Sequence, residues 1–373
     1  MWRHESDIPF QTPSQQHTYQ KAKKNNLSPI LNNNAIMKHQ LFSLFFLALL
    51  FPSSMHAANK YDNPDTLFVS RDGTCEFRNV AEAIEVCRAF MDYHKVIYVK
   101  KGTYKEKIEV PTWLTNIEIC GEDRDNTIIT WDDHANIRML GTEKPMGTFR
   151  TYTVKVTGSD ITFKNITIEN NSARLGQAVA LHVEGDRCLF INCRFLGHQD
   201  TIYTGRGGAR QFFRNCYIEG TTDFIFGPST VWFENCDIVN KSNSYVTAAS
   251  TPKDQPYGYI FNNCRIKRLE GDEALKSNKG LPIEKCYLGR PWRPYAYTLF
   301  MNCDLGSHIL PVGWHNWGKA ENEKTARYIE YNNRGEGAKT KERHAWAKQL
   351  TKKEAEKITL KNVFGSDISW ITE

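Results

Sequence analysis

Two aspartates stand at equal offsets from a recurring phrase. Asp200 closes Asn192-Cys-Arg-Phe-Leu-Gly-His-Gln-Asp200 and Asp223 closes Asn215-Cys-Tyr-Ile-Glu-Gly-Thr-Thr-Asp223, with Gly197 and Gly220 also in step. If the phrase marks equivalent places on successive turns of a coiled chain, the two carboxylates lie one above the other, ~5 Å apart. So close a pair is unfavourable unless one member holds a proton or a cation lies near. It can serve as an acid/base and a nucleophile acting in sequence. It can equally hold Ca²⁺, and spacing alone leaves both open.

The neighbouring residues favour catalysis. Asp200 is followed by Thr-Ile-Tyr203 and Asp223 by Phe-Ile-Phe226. Rings beside a carboxylate pair lower local solvation and offer a surface on which sugars stack. Leu288-Gly-Arg290-Pro-Trp292 adds another large ring and a guanidinium able to fork onto whichever aspartate must stay ionised. The plain alternative for each ring is core packing. The sequence has no Gly-x-Ser-x-Gly elbow and no His-Glu-x-x-His, and His182, His198, His308 and His315 lack ligand spacing. It therefore predicts neither a serine esterase nor a histidine-ligated metal hydrolase. His198, beside Gln199 and Asp200, could tune that motif, but reads first as a turn or cleft-wall residue.

What must position these groups is a repeat. The phrase appears as Phe163-Lys-Asn165, Phe190-Ile-Asn192-Cys193, Phe213-Arg-Asn215-Cys216, Phe233-Glu-Asn235-Cys236 and Phe261-Asn-Asn263-Cys264. A degenerate Ile283-Glu-Lys285-Cys286 and a final Phe300-Met-Asn302-Cys303 complete the series. Self-similarity at this period marks a solenoid whose units cannot bury an apolar face alone. Each unit alternates apolar and polar residues and then turns, with no amphipathic stretch between copies, so the unit is strand rather than helix. The prediction is an all-β, right-handed parallel β-helix. Cysteines in one register then form an inward ladder of unpaired thiols, and each Asn sits at a turn or in a side-chain ladder. Cys75, Cys87, Cys120 and Cys188 fall outside that register, and a Cys75–Cys87 bridge stays open. Asn79 to Phe90 predicts a short helix capping the N-terminal end. Glu321 to Glu373 reads as charged and irregular, with Lys352 to Lys357 helical, packed along the coil or over its far end.

The first 36 residues are polar and aperiodic, which predicts a disordered extension or a start assigned too early. Met37-Lys38-His39, the apolar run Leu41 to Phe51 and a small residue at Ala57 describe a secretory signal over 37–57. The run is about half of what a spanning helix needs, so no stable membrane insertion is expected. Residues 58–373 are expected to form one domain that acts after export, secreted or periplasmic, as a monomer. A net charge of +6 over 373 residues is modest and predicts no nucleic-acid partner.

Five segments, in order, resemble those of the pectin methylesterase (pectinesterase) family. They are Gly102-Thr-Tyr104-Lys-Glu106, Gln177-Ala-Val-Ala-Leu181, Gln199-Asp-Thr-Ile-Tyr203, Asp223-Phe-Ile-Phe-Gly227 and Leu288-Gly-Arg-Pro-Trp292. Weaker similarity runs from about Leu67 to Gly337 and includes Gly313-Trp314-His-Asn-Trp317. The resemblance implies demethylation of methyl-esterified galacturonate in pectin, with no cofactor and no metal. It implies Asp223 as nucleophile, Asp200 as acid/base, Gln177 and Gln199 as oxyanion donors, and Arg290 as the group that orients Asp223. Tyr203, Phe226, Arg290 and Trp292 would line the sugar subsites. Thr222, Pro228-Ser229 and a longer Gly205–Arg210 loop depart from the family pattern and bear on fine specificity. Rival functions are a pectate lyase, a polygalacturonase (suggested only by Arg265-Ile-Lys267) and a β-helix that binds polysaccharide without catalysis.

Overall fold

The structure, a computed structural model, describes residues 61–371. The expected extension 1–36 and signal 37–57 lie outside the described residues. The chain from Leu67 onward is a right-handed parallel β-helix, whose coils build three parallel sheets of 11, 8 and 7 strands. Short runs of alternating burial make these strands: Lys95–Val99 alternates fully buried with half-buried positions, as a strand with one face on a core does. Neighbours in every sheet come from successive coils, so side chains at equivalent positions stack.

The recurring phrase is the corner of each coil. Phe163, Phe190, Phe213, Phe233, Phe261 and Phe300 form one column, with neighbouring ring centroids 4.4–5.6 Å apart. Such stacking adds about 0.5–1.5 kcal/mol per pair beyond burial. Asn165, Asn192, Asn215, Asn235, Asn263 and Asn302 all adopt positive φ between 51° and 57°, the left-handed turn that Asn tolerates. Where two carboxamides meet they bond, as Asn192 donates to Asn165 at 2.8 Å. The Cys193, Cys216, Cys236, Cys264 and Cys303 thiols are buried and unpaired. Each donates to the carbonyl of the Phe one coil earlier, as Cys193 to Phe163 and Cys264 to Phe233, both at 3.4 Å. Cys75 and Cys87 are also free.

Three expectations need correction. The capping helix is Val80–Glu85, not Asn79 to Phe90. Cys87 N–H closes the end onto Ile84, and Phe90 turns to positive φ, where its N–H bonds Trp113. The degenerate Lys285-Cys286 copy is no coil of the Phe sheet: strand Tyr259–Asn262 pairs directly with Tyr297–Met301. Helix Gly271–Ser277 fills the excursion between them. Conversely, Arg327–Tyr331, read as irregular, is a further strand of that sheet. Beyond it, Thr351 and Glu354 form a capping box on helix Lys352–Ala355. Phe364 and Ile371 then pack on Phe212, Trp232 and Leu299 over the outer face.

Candidate active site

The 7-stranded sheet carries the site. Its strands Leu181–Val183, Ile202–Thr204, Ile225–Gly227, Tyr245–Ala249 and Tyr287–Gly289 lie side by side. Tyr203 pairs with His182 on one side and Phe226 on the other, and Phe226 pairs with Ala248. The ladder continues backward through the turns before these strands. Ala178 N–H donates to Gln199 O (3.1 Å), Asp200 N–H to Thr222 O (3.1 Å) and Asp223 N–H to Tyr245 O (2.9 Å). Asp200 and Asp223 are therefore level on adjacent coils, and Gln177, Gln199 and Thr222 form the column one residue earlier. Both aspartates have positive φ, 67° and 50°, a sparsely populated state that the surrounding ladder holds in place.

Both aspartates are almost entirely buried, at 8% and 6% exposure. Their surroundings then separate them. Arg290 donates from Nε to Asp223 Oδ1 at 2.9 Å and from Nη2 to Oδ2 at 2.6 Å. Burial pushes Asp223 above its ordinary pKa, while the fork and charge of Arg290 pull against that rise. Burial pushes Asp200 well above its ordinary pKa, and the charge of Asp223 pushes it further. Asp200 thus keeps its proton after Asp223 has lost its own. The cation that a stacked carboxylate pair requires is a guanidinium, bound to one member only.

Arg290 is itself fixed on three sides. Its N–H donates to Thr247 O at 2.9 Å, and its guanidinium lies between the rings of Tyr245 (4.0 Å) and Trp317 (3.8 Å). Gly289 lets this strand end approach its neighbour, because a Cβ there would meet Thr247 Oγ1 at 2.0 Å. Gln177 and Gln199 face the same cleft, and neither carboxamide is engaged by another described residue.

The cleft, about 380 Å³, brings together Gln177, Gln199, Asp200, Asp223, Phe226, Arg290 and Trp292. Tyr203 stands beside this lining rather than in it, packed on Phe226 (5.0 Å), Phe149 (4.9 Å) and His182 (4.7 Å). Trp292 meets Phe226 edge to face at 5.8 Å. Four lining residues were not expected: Thr148, Phe149, Ala248 and Trp317. Trp317 lies in a segment the sequence singled out, but Trp314 of that segment goes into the core. Thr148 and Phe149 sit on an excursion outside the repeat, where no register predicts their position. Ala248 pairs with Phe226 but stands thirteen residues after Asn235, where Phe226 stands eleven after Asn215, so a two-residue insertion in the turn hid it. Of the departing residues, Thr222 shares a hydroxyl contact with Ser244 at 2.8 Å, and Ser229 is buried with its hydroxyl donating to Gly205 and Arg206 carbonyls.

Arg265-Ile-Lys267 lies elsewhere, on the 8-stranded sheet, with both cations paired to Asp237. Among the described residues no group of three His, Cys, Asp or Glu is placed to hold a metal, and no helix is long and apolar enough to cross a membrane.

A family profile described as Pectinesterase matches residues 66–367. A probable pectinesterase/pectinesterase inhibitor of Brassica napus is 37% identical over 320 residues, which cover 83% of this chain and 52% of that protein. Pectinesterase 31 of Arabidopsis thaliana is 38% identical over 296 residues, 77% of this chain and 88% of that one. Among solved structures, the pectin methylesterase from carrot superposes with a TM-score of 0.74 at 33% identity, covering 83% of this chain and 97% of the other. The chain thus spans about half the length of the Brassica relative but nearly all of the carrot enzyme.

Proposed function

The chain belongs to the pectinesterase family, and on that premise we propose that it is a carboxylic-ester hydrolase that demethylates the galacturonate methyl esters of pectin. The observation that carries the reading is the asymmetry of the aspartate pair: one carboxylate clamped by Arg290, the other buried without such a partner.

That asymmetry fits a two-step mechanism. Asp223, ionised and aimed, attacks the ester carbonyl carbon. The oxyanion that forms accepts N–H bonds from the Gln177 and Gln199 carboxamides, each worth about 3 kcal/mol. Protonated Asp200 gives its proton to the departing methoxide, so methanol leaves and an acyl group remains on Asp223. Asp200, now ionised, takes a proton from water as the hydroxide attacks the acyl carbon. The product leaves as the uronic acid, which gives its proton to solvent to become the uronate, and both aspartates return to their starting states. Phe226 and Trp292 would form the wall on which sugar rings pack.

Methanol release from highly methylated pectin, beside the Asp223→Ala variant, tests the proposal. Release that Asp223→Ala abolishes by orders of magnitude supports it. New reducing ends would instead mark a hydrolase of the backbone, an unsaturated product a lyase, and binding unaffected by the substitution a non-catalytic β-helix. The signal-like segment 37–57 supports action outside the cytosol, and the exported domain is proposed to act as a monomer. N-terminal sequencing of exported protein, expected to begin near Ala58, and its size in solution test those two points.

A further inference from the structure

Behind the catalytic turn lies a second hollow of about 320 Å³, lined by Arg174, His198, Lys241, Glu273, Lys276 and Ser277. It shares the segment 198–200 with the cleft: Gln199 and Asp200 face the cleft, and His198 faces the hollow. Three cations in the lining stand against one carboxylate. Lys241 is committed, donating to Glu219 at 2.7 Å and Gly197 O at 3.2 Å. Arg174 is not: among the described residues its guanidinium has no hydrogen-bond or ion-pair partner. Two more polar atoms of the same lining, His198 Nδ1 and Ser277 Oγ, are buried without a partner. Buried polar atoms are paired in the great majority of cases. Two orphaned polar atoms beside the exposed, uncommitted Arg174 guanidinium, in one positive hollow, describe a place for an anion that accepts hydrogen bonds.

We propose that this hollow binds the free carboxylate of a de-esterified galacturonate unit, as an accessory site for the acidic polymer that the neighbouring cleft produces. The inference rests on the demethylation reading, since that reaction turns a neutral ester into a carboxylate beside the hollow. Arg174 supplies the forked contact, and Ser277 and His198 supply single donors. Exposed Lys276 adds attraction at the rim, and Glu273 is the one opposing charge. Burial, Lys241 and Arg174 push the His198 ring down to about 4, so the free ring is neutral at mildly acidic pH. A bound anion offsets those cations, and the ring then takes up a proton with the ligand. The charged groups facing it are Arg174, Lys241, Glu273 and Lys276, with Asp200 two residues along. The His198 carbonyl accepts from Thr221 N–H (2.9 Å) and Thr201 Oγ1 (3.2 Å). Occupancy therefore bears on the turn that presents Gln199 and Asp200.

The test follows the His198 ring by NMR while the full chain is titrated at mildly acidic pH with unesterified trigalacturonic acid. A saturable shift toward the imidazolium is expected. Arg174→Ala should weaken it about tenfold for a lost charge-assisted contact, and Lys276→Ala by a smaller factor that fades with added salt, each variant checked for an unchanged melting midpoint. A silent His198, or variants that bind like the parent chain, overturns the proposal. So does an equal response to the fully methyl-esterified trimer or to inorganic phosphate. Methanol release from methylated pectin decides the underlying reading separately. Release with a silent His198 sinks only the accessory site, and no release sinks both.

Discussion

Arg290 grips Asp223 by both carboxylate oxygens, at 2.9 and 2.6 Å, while Asp200, one coil away, has no such cation of its own. One substitution isolates the fork from the charge. Arg290→Lys keeps a cation but cannot make two parallel bonds. Asp223 should then be less well aimed, lowering kcat by roughly a hundredfold. Weaker opposition to burial should also raise the Asp223 pKa. Because the proposed mechanism needs Asp223 ionised to attack, the acid limb of kcat/KM should move to higher pH. A methanol-release profile with an unmoved acid limb would show that Arg290 does not tune this group.

Asp200→Asn separates activity from stability. The folded-state pKa of Asp200 lies above that of the unfolded chain, about 3.9. Between those values the native state holds a proton that the unfolded state lacks, so stability falls as pH rises through the window. The isosteric amide removes that loss. Asp200→Asn should be inactive yet more resistant to urea at pH 7, with the gain vanishing below about pH 3.9. Equal urea midpoints at pH 7 would deny that burial strains the carboxylate.

In the proposed mechanism Gln177 and Gln199 offer amides to charge that exists only in the transition state. Gln177→Ala and Gln199→Ala should each lower kcat about 10²–10³-fold with little change in KM. A rise in KM at constant kcat would instead make them binders of the ground-state sugar.

At the far end of the coil, Glu330 occupies the place of the Phe column, opposite Phe300. It is buried with Arg343, whose Nε meets Oε1 at 2.8 Å, and it accepts from Trp314 Nε1 at 3.1 Å. Arg343→Met strands a buried carboxylate and should cost about 3–5 kcal/mol in urea unfolding. Adding Glu330→Leu should restore most of that loss. A double variant no better than the single one would show that packing, not charge, is at stake.

Legibility in the sequence followed the repeat. Wherever Phe-x-Asn-Cys held, strand, corner and facing column were readable, and so the level placement of Asp200 and Asp223 was readable too. Arg327–Tyr331 escaped because Glu330 and Asn333 stand where the phrase has Phe and Cys, and a buried charge reads as surface until its partner is seen. Lys285-Cys286 misled for the opposite reason: a cysteine in near-register belongs to a different sheet. Phe149 could not be found, since its excursion has no period. Gln177 came from family resemblance alone: it stands twelve residues after Asn165, whereas Gln199 stands seven after Asn192, so a five-residue excursion hid its place beside Gln199.

Trp317 escaped as well, and it makes the last prediction. Its ring lies 3.8 Å from the Arg290 guanidinium, opposite Tyr245 at 4.0 Å. A cation between two faces is attracted to each by about 0.5–2 kcal/mol, and here that attraction stops the fork from swinging off Asp223. Trp317→Leu removes one face and keeps an apolar wall, so kcat should fall about tenfold or somewhat more for a lost contact of that size. The acid limb of the pH profile should shift in the same direction as in Arg290→Lys, because both changes loosen one contact. Trp317→Phe, which keeps a π face, should recover most of both effects. If Leu and Phe behave alike, Trp317 is only a wall for sugar, and Tyr245 alone steadies the guanidinium.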